Sequence, residues 1–165
     1  MAIDMIETIR MWNTPFIGAY HLWRFASGYY SASGRRPAPL MLFFIVSALV
    51  SDREYWMPTT RRTLKTYNRY FVENKKLSLL KLLPAVIASR REYTCAAIER
   101  AVMGRFLKWD ADGCALSPRL ISRERKASLL DADTLKAGNA AEKIGEWFAG
   151  DAISDICVYL GVKLS

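Results

Sequence analysis

The sequence predicts a mainly α-helical, winged-helix-like domain with one short β-hairpin as its wing, and three observations lead there. Apolar residues recur at helical spacing through most of the chain, and proline and glycine interrupt these runs where helices should start and stop. Near its middle, a single Asp-Gly turn separates two short runs containing apolar residues, which is the signal of a hairpin.

The elements follow in order. Asn13-Thr14-Pro15 places a capping residue before proline, and Ile17, Tyr20, Trp23, Phe25 and Tyr29 continue at roughly helical spacing, so a first long helix should run to about Ser31. Ser33-Gly34-Arg35-Arg36-Pro37 breaks it. Pro37 and Pro39 then open a second helix, Leu40–Val50, which is apolar almost all round and should lie in the core or at a subunit interface. Met57-Pro58-Thr59-Thr60 introduces an amphipathic helix in which Arg61, Arg62, Lys65 and Arg69 alternate with Leu64, Tyr67, Tyr70 and Phe71. Asn74-Lys75-Lys76 ends it. A shorter helix near Leu77–Ala88 follows, with Pro84 marking a kink, a break or a new first turn, and then a helix over Tyr93–Phe106. Leu107–Leu116 is the hairpin, Ser122–Ala132 a charged loop, and two helices near Ala137–Ala149 and Ala152–Leu160 close the chain. Residues 1–165 are taken as one domain: a helical N-terminal part (1–56), a winged-helix-like part (57–122), and a loop with C-terminal helices (123–165).

With 165 residues, 52% of them hydrophobic, the chain can bury a core without disulfides or metal. Cys95, Cys114 and Cys157 are odd in number and widely spaced, which suits a reduced, cytoplasmic protein. The start, MAIDMIETIRMWN, lacks the pattern of a signal peptide. Leu40–Val50 holds eleven residues where a spanning helix needs roughly 20, so no membrane segment is expected.

The net charge of +8 is unevenly placed, since residues 51–108 carry thirteen Lys and Arg against five Asp and Glu. Such a block suits a phosphate backbone, an acidic partner surface or simply a solvated helix face. Its candidate contact residues are Arg61, Arg62, Lys65, Arg69, Lys75, Lys76, Arg90 and Arg91. In a DNA-reading winged helix the helix over Tyr93–Phe106 would enter the major groove. The wing tip Asp110–Gly113 is acidic, however, where a DNA-binding wing is normally basic.

Constellations for catalysis are sparse. His21 is the single histidine, which excludes any site needing two, and it reads as a packed or surface residue. Asp110-x-Asp112-Gly113 begins like a calcium loop, but Ile121 stands where the closing glutamate belongs, so a turn is the better reading. Neither a phosphate-binding Gly-x-x-x-x-Gly-Lys-Ser/Thr nor a Gly-x-Gly-x-x-Gly nor a Gly-x-Ser-x-Gly occurs, and no cofactor is implied. Cys95, near Arg90 and Arg91 but without a histidine nearby in sequence, is expected to be a buried structural thiol. The tryptophans Trp12, Trp23, Trp56, Trp109 and Trp147 are the aromatic interface candidates, weighed against a plain core role.

Taken in order, these stretches resemble one family. Asn13-Thr14-Pro15-Phe16 with Gly28-Tyr29, the proline-rich approach to Leu40–Val50, Met57-Pro58-Thr59-Thr60-Arg61 before a helix, Asp110–Gly113 in a wing, and Ile144-Gly145-Glu146-Trp147 before Leu160-Gly161-Val162 are similar in order and spacing to the middle components of bacterial three-component ABC-ATPase systems, the Lamassu-type defence operons. The resemblance spans nearly the whole chain, with Met57 where leucine is expected. It implies a non-catalytic adaptor or regulatory subunit that joins an SMC-like ABC ATPase to an effector, often a nuclease, in anti-phage or anti-plasmid immunity. DNA would be met directly or through the complex. The residues alone leave a second possibility open, a stand-alone winged-helix DNA-binding regulator using the 51–108 block.

Overall fold

Thr14 is extended and Pro15 opens α1 (Pro15–Ala32), the order expected from the sequence. This computed structural model describes residues 14–60, 63–110, 113–119 and 131–163. Helix α1 ends where Gly34 takes φ +72° and the Arg35 N–H reaches back to the Tyr30 carbonyl at 2.9 Å, which satisfies one of the helix's last free acceptors. Ala38–Pro39 then form β1, and Pro39 serves as the N-cap of α2 (Leu40–Leu49). Asp52 caps the single turn α3 (Arg53–Trp56) by accepting the Glu54 N–H, and a 3-10 turn, Met57–Thr60, leads on. Thr63 and Thr66 form a reciprocal capping box at the start of α4 (Leu64–Glu73). There follow α5 (Leu77–Ser89), α6 (Arg91–Met103), β2 (Leu107–Asp110), β3 (Ala115–Pro118), α7 (Ala132–Gly150) and α8 (Ile153–Leu160).

The chain is mainly helical with a small antiparallel sheet. That sheet is larger than the expected hairpin: β1 joins it, in the order β1-β3-β2, with Ala38 opposite Leu116 and Leu107 opposite Pro118. Prolines on either side of Ala38 hold it extended at the sheet's edge, where a residue lacking an N–H is tolerated. Helix, strand and helix (α1, β1, α2), followed after Arg53–Ser89 by helix and two strands (α6, β2, β3), make a winged-helix-like order. Its first members therefore precede residue 57, and the sheet joins chain on both sides of that position.

Helix α5 continues through Pro84, so of the kink, break or new first turn expected there the last two do not occur. Two further differences have local causes. Helix α6 stops three residues before Phe106, because Arg105 adopts φ +60° and the Phe106 N–H bonds the Ala101 carbonyl at 2.8 Å. Helix α7 begins at Ala132 rather than Ala137, since Asp131 accepts the Thr134 N–H at 2.7 Å. The loop expected over Ser122–Ala132 lies largely outside the described residues.

Helix α1 is the axis of the core, packing most extensively on α7 and next on α6. Phe25 of α1 meets Phe43 of α2 and Phe148 of α7 edge-on at 5.1 and 6.0 Å, and Leu22, Leu42, Leu49 and Ile144 fill around them. The apolar run expected in the core or at an interface is therefore core: Leu42, Phe43, Ile45, Val46 and Leu49 are buried. Among the described residues, no helix is long and apolar enough to cross a membrane.

Candidate partner-binding surfaces

The aromatic candidates separate by burial. Trp23 is buried and its indole N–H donates to the Arg119 carbonyl at 3.0 Å, tying α1 to the end of the hairpin. Trp56 is packed with Ala137 and Ala140 of α7. Trp147 is buried 5.6 Å from the Tyr67 ring, and its indole N–H has no hydrogen-bond partner among the described residues. Trp12 lies outside the described residues. Trp109 alone of the four described tryptophans is exposed, at 43%. It stands opposite the buried Leu116 on the sheet, where strand alternation puts it on the same face as buried Leu107.

The basic candidates divide as well. Arg61 and Arg62 lie outside the described residues. Lys65 and Arg69 are exposed one turn apart on α4, whose Leu64, Tyr67 and Phe71 face the core. Lys75, left-handed at φ +56°, and Arg91, at the start of α6, are exposed too. Lys76 is engaged within the chain, 2.7 Å from Glu54 and 5.9 Å from the Tyr70 ring centre. Its hydrogen bond to Glu54 raises its pKa. Arg90 folds over Tyr93 at 4.3 Å, burial lowers its pKa, and its Nε is buried without a hydrogen-bond partner among the described residues.

Arg90 and Tyr93 line a small cavity of about 30 Å³ with His21, Ser47 and Ser51. The Thr94 hydroxyl donates to Ser47 at 2.7 Å close by. His21 is 4% exposed, and its Nε2 donates to the Thr134 carbonyl at 3.2 Å. Burial pushes its pKa down to about 4, helped by the charges of Arg24 and Arg90, so the ring is neutral near pH 7. The histidine is thus a packed core residue that ties α1 to the start of α7.

Helix α6 is the third helix of the winged-helix-like order, the position from which a groove would be read. Its inner face is Thr94, Ala97, Ile98 and Ala101; outward stand Glu92, Cys95, Glu99 and Met103, with Arg91 and Arg100 beside them. Cys95 is therefore exposed rather than buried, because the helix turns Thr94 and Ala97 to the core in its place. Two carboxylates on this face oppose a phosphate backbone, while Met103, 74% exposed, offers adaptable apolar contact. A groove of about 510 Å³ runs between its last turns and Pro15, lined by Ala96, Glu99, Arg100, Met103 and Gly104, and Phe16 is exposed next to Pro15.

The sequence reading missed a second group, the exposed apolar side chains Val72, Leu77 and Leu82 on α4 and α5. A signal was available: from Leu77 to Ser89 only Lys81 carries a charge, so no polar face exists to turn outward.

These features define a mainly helical, winged-helix-like domain that displays its chemistry on open surfaces. The chain belongs to the family described as ABC-three component (ABC-3C) system Middle Component 3, whose family model matches residues 5–164. It is thus a middle component of such a system, as the order of its motifs suggested, and membership in a multi-component system implies protein partners. No curated protein and no solved structure matches the chain.

Proposed function

We propose that this middle component is a non-catalytic, cytoplasmic adaptor that joins an SMC-like ABC ATPase to an effector, often a nuclease, in a Lamassu-type defence complex acting on phage or plasmid DNA. The observation that supports this reading is the outward face of α6, where Glu92, Cys95, Glu99 and Met103 occupy the position a DNA reader would fill with cations. Exposed Trp109 on the neighbouring strand adds an aromatic anchor of the kind that dominates protein interfaces. The adaptor works by binding the resting and triggered arrangements of the complex with different affinity, since a subunit that binds both equally shifts nothing. DNA sensed by the ATPase rearranges the complex and releases the effector.

Lys65, Arg69, Lys75 and Arg91 favour a second reading, a stand-alone DNA-binding regulator, because all four are exposed and none has an ion-pair partner among the described residues. One experiment separates the two. The tagged chain is co-purified with the products of its neighbouring genes, and the chain alone is titrated with duplex DNA at two salt concentrations. A complex with a large coiled-coil ATPase and weak binding of DNA by the free chain is expected. A chain that binds DNA unaided, with steep salt dependence, and recruits no ATPase overturns the adaptor.

A further inference from the structure

Helix α5 carries apolar residues on its exposed side as well as its buried one. Leu80 and Leu83 are buried and Leu79, Val86 and Ile87 partly so, with packing chiefly against α2. The opposite side, left exposed among the described residues, presents Ser78, Lys81, Leu82, Ala85 and Ala88, with one charge among five residues. Leu82 is 56% exposed, Leu77 41% and Val72, at the end of α4, 54%. The exposed side of α7 shows the usual alternative, with Asp133, Lys136, Asn139 and Glu146. Small residues at Ser78, Ala85 and Ala88 also leave room for another backbone to approach closely.

The charge around this face has one sign. From Arg69 to Arg91 the single acid is Glu73, and Arg69, Lys75, Lys81 and Arg91 are exposed with no ion-pair partner among the described residues. A second copy of the chain seated here would bring Lys81 towards its own equivalent near the middle of the helix, and like charges oppose that. The weakly charged centre gives nucleic acid little to hold.

We propose that the exposed face of α5, continued by Val72, is a docking surface for an amphipathic helix of a partner protein, whose apolar stripe covers Leu77, Leu82 and Ala85 and whose flanking Asp and Glu residues meet Arg69, Lys75, Lys81 and Arg91. This rests on the adaptor reading and assigns one of its contacts. The partner helix lies along α5 beside Leu82, with its backbone over the small residues Ala85 and Ala88. A surface of this kind shares its energy unevenly: Leu82 is the anchor, and the cations select the partner.

The test uses the full chain co-expressed with the ABC ATPase and the effector encoded beside it. A photo-cross-linking residue, p-benzoylphenylalanine, at Ala85 is expected to capture a segment of one of those two proteins with apolar residues at helical spacing flanked by Asp or Glu. Leu82→Glu and Lys81→Glu, each at an exposed site and each checked for an unchanged melting profile, are expected to weaken that partner at least about tenfold and leave the other bound. Reversing the captured acid to Lys is expected to rescue Lys81→Glu, and Lys136→Glu on α7 serves as a control that leaves binding unchanged. The proposal is overturned if both α5 substitutions bind as the wild type does, if the cross-link joins two copies of this chain, or if the wild type sediments with phosphatidylserine vesicles and Leu82→Glu does not. A wild-type chain that co-purifies with neither protein overturns the adaptor reading and this proposal together, a result distinct from an intact complex indifferent to the substitutions.

Discussion

Gly145 of α7 lies directly against the backbone of Phe25 in α1: a Cβ at Gly145 would stand 2.3 Å from the Phe25 carbonyl oxygen. One turn away the relation is reciprocal, with a Cβ at Gly28 falling 2.1 Å from the Glu142 carbonyl oxygen. The two central helices therefore approach backbone to backbone, and Arg24, bonded to Glu142 at 2.7 Å and to Asn139 and Tyr20, closes one side of the contact. Because the obstacle is backbone and cannot rotate away, Gly145→Ala should cost about 3 kcal/mol or more. Gly150→Ala, where a Cβ meets nothing within 4 Å, should change stability by less than about 1 kcal/mol. Urea denaturation of both variants checks the pair.

His21 should make the fold sensitive to acid. Its folded pKa, about 4, lies below the ordinary 6.5, so the unfolded chain binds the proton more readily. The associated stability is fully present above pH 6.5 and is lost as pH falls towards 4, by about 3 kcal/mol in all. In His21→Gln, the slope of unfolding free energy against pH should flatten in that window. An unchanged slope would assign the acid sensitivity to other groups.

The tryptophans should respond differently to substitution. Trp23→Phe leaves the Arg119 carbonyl without its indole donor and should cost about 1 to 3 kcal/mol. Trp109→Ala removes a half-exposed ring and should lower stability far less, yet weaken the complex with a protein partner. Melting curves and co-purification, run on the same two variants, separate the roles.

Asp131 supplies the start that lengthens α7. Asp131→Ala removes the acceptor of the Thr134 N–H and should cost about 1 kcal/mol, and Asp131→Asn should recover most of it. Calorimetric melting of the two variants measures the difference.

Much of this architecture was legible in the residues. Thr14-Pro15 and Gly34 act through local backbone preference, so they mark α1 without reference to the rest of the chain, and the two short runs around Asp-Gly pair as β2 and β3, although Cys114 rather than Gly113 takes the left-handed conformation, at φ +46°. The end of α6 was not legible, because Gly104 looks like the left-handed stop while Arg105 adopts that conformation. Strand β1 was hidden for a similar reason: two residues carry no periodicity, and only the position of β3 makes them a strand.

By itself the sequence determined the helical class, the uneven charge and, through the order of its motifs, a family that matches residues 5–164. Burial was decided by tertiary structure. Leu40–Leu49 and Leu77–Ser89 are apolar runs of one kind, yet α2 is enclosed by α1, α5 and α6 while α5 keeps Leu82 in solvent. Trp23 and Trp109 differ in the same way. Hydrophobicity belongs to a side chain, but its removal from water depends on which surfaces the fold brings against it, and among the described residues one face of α5 has none.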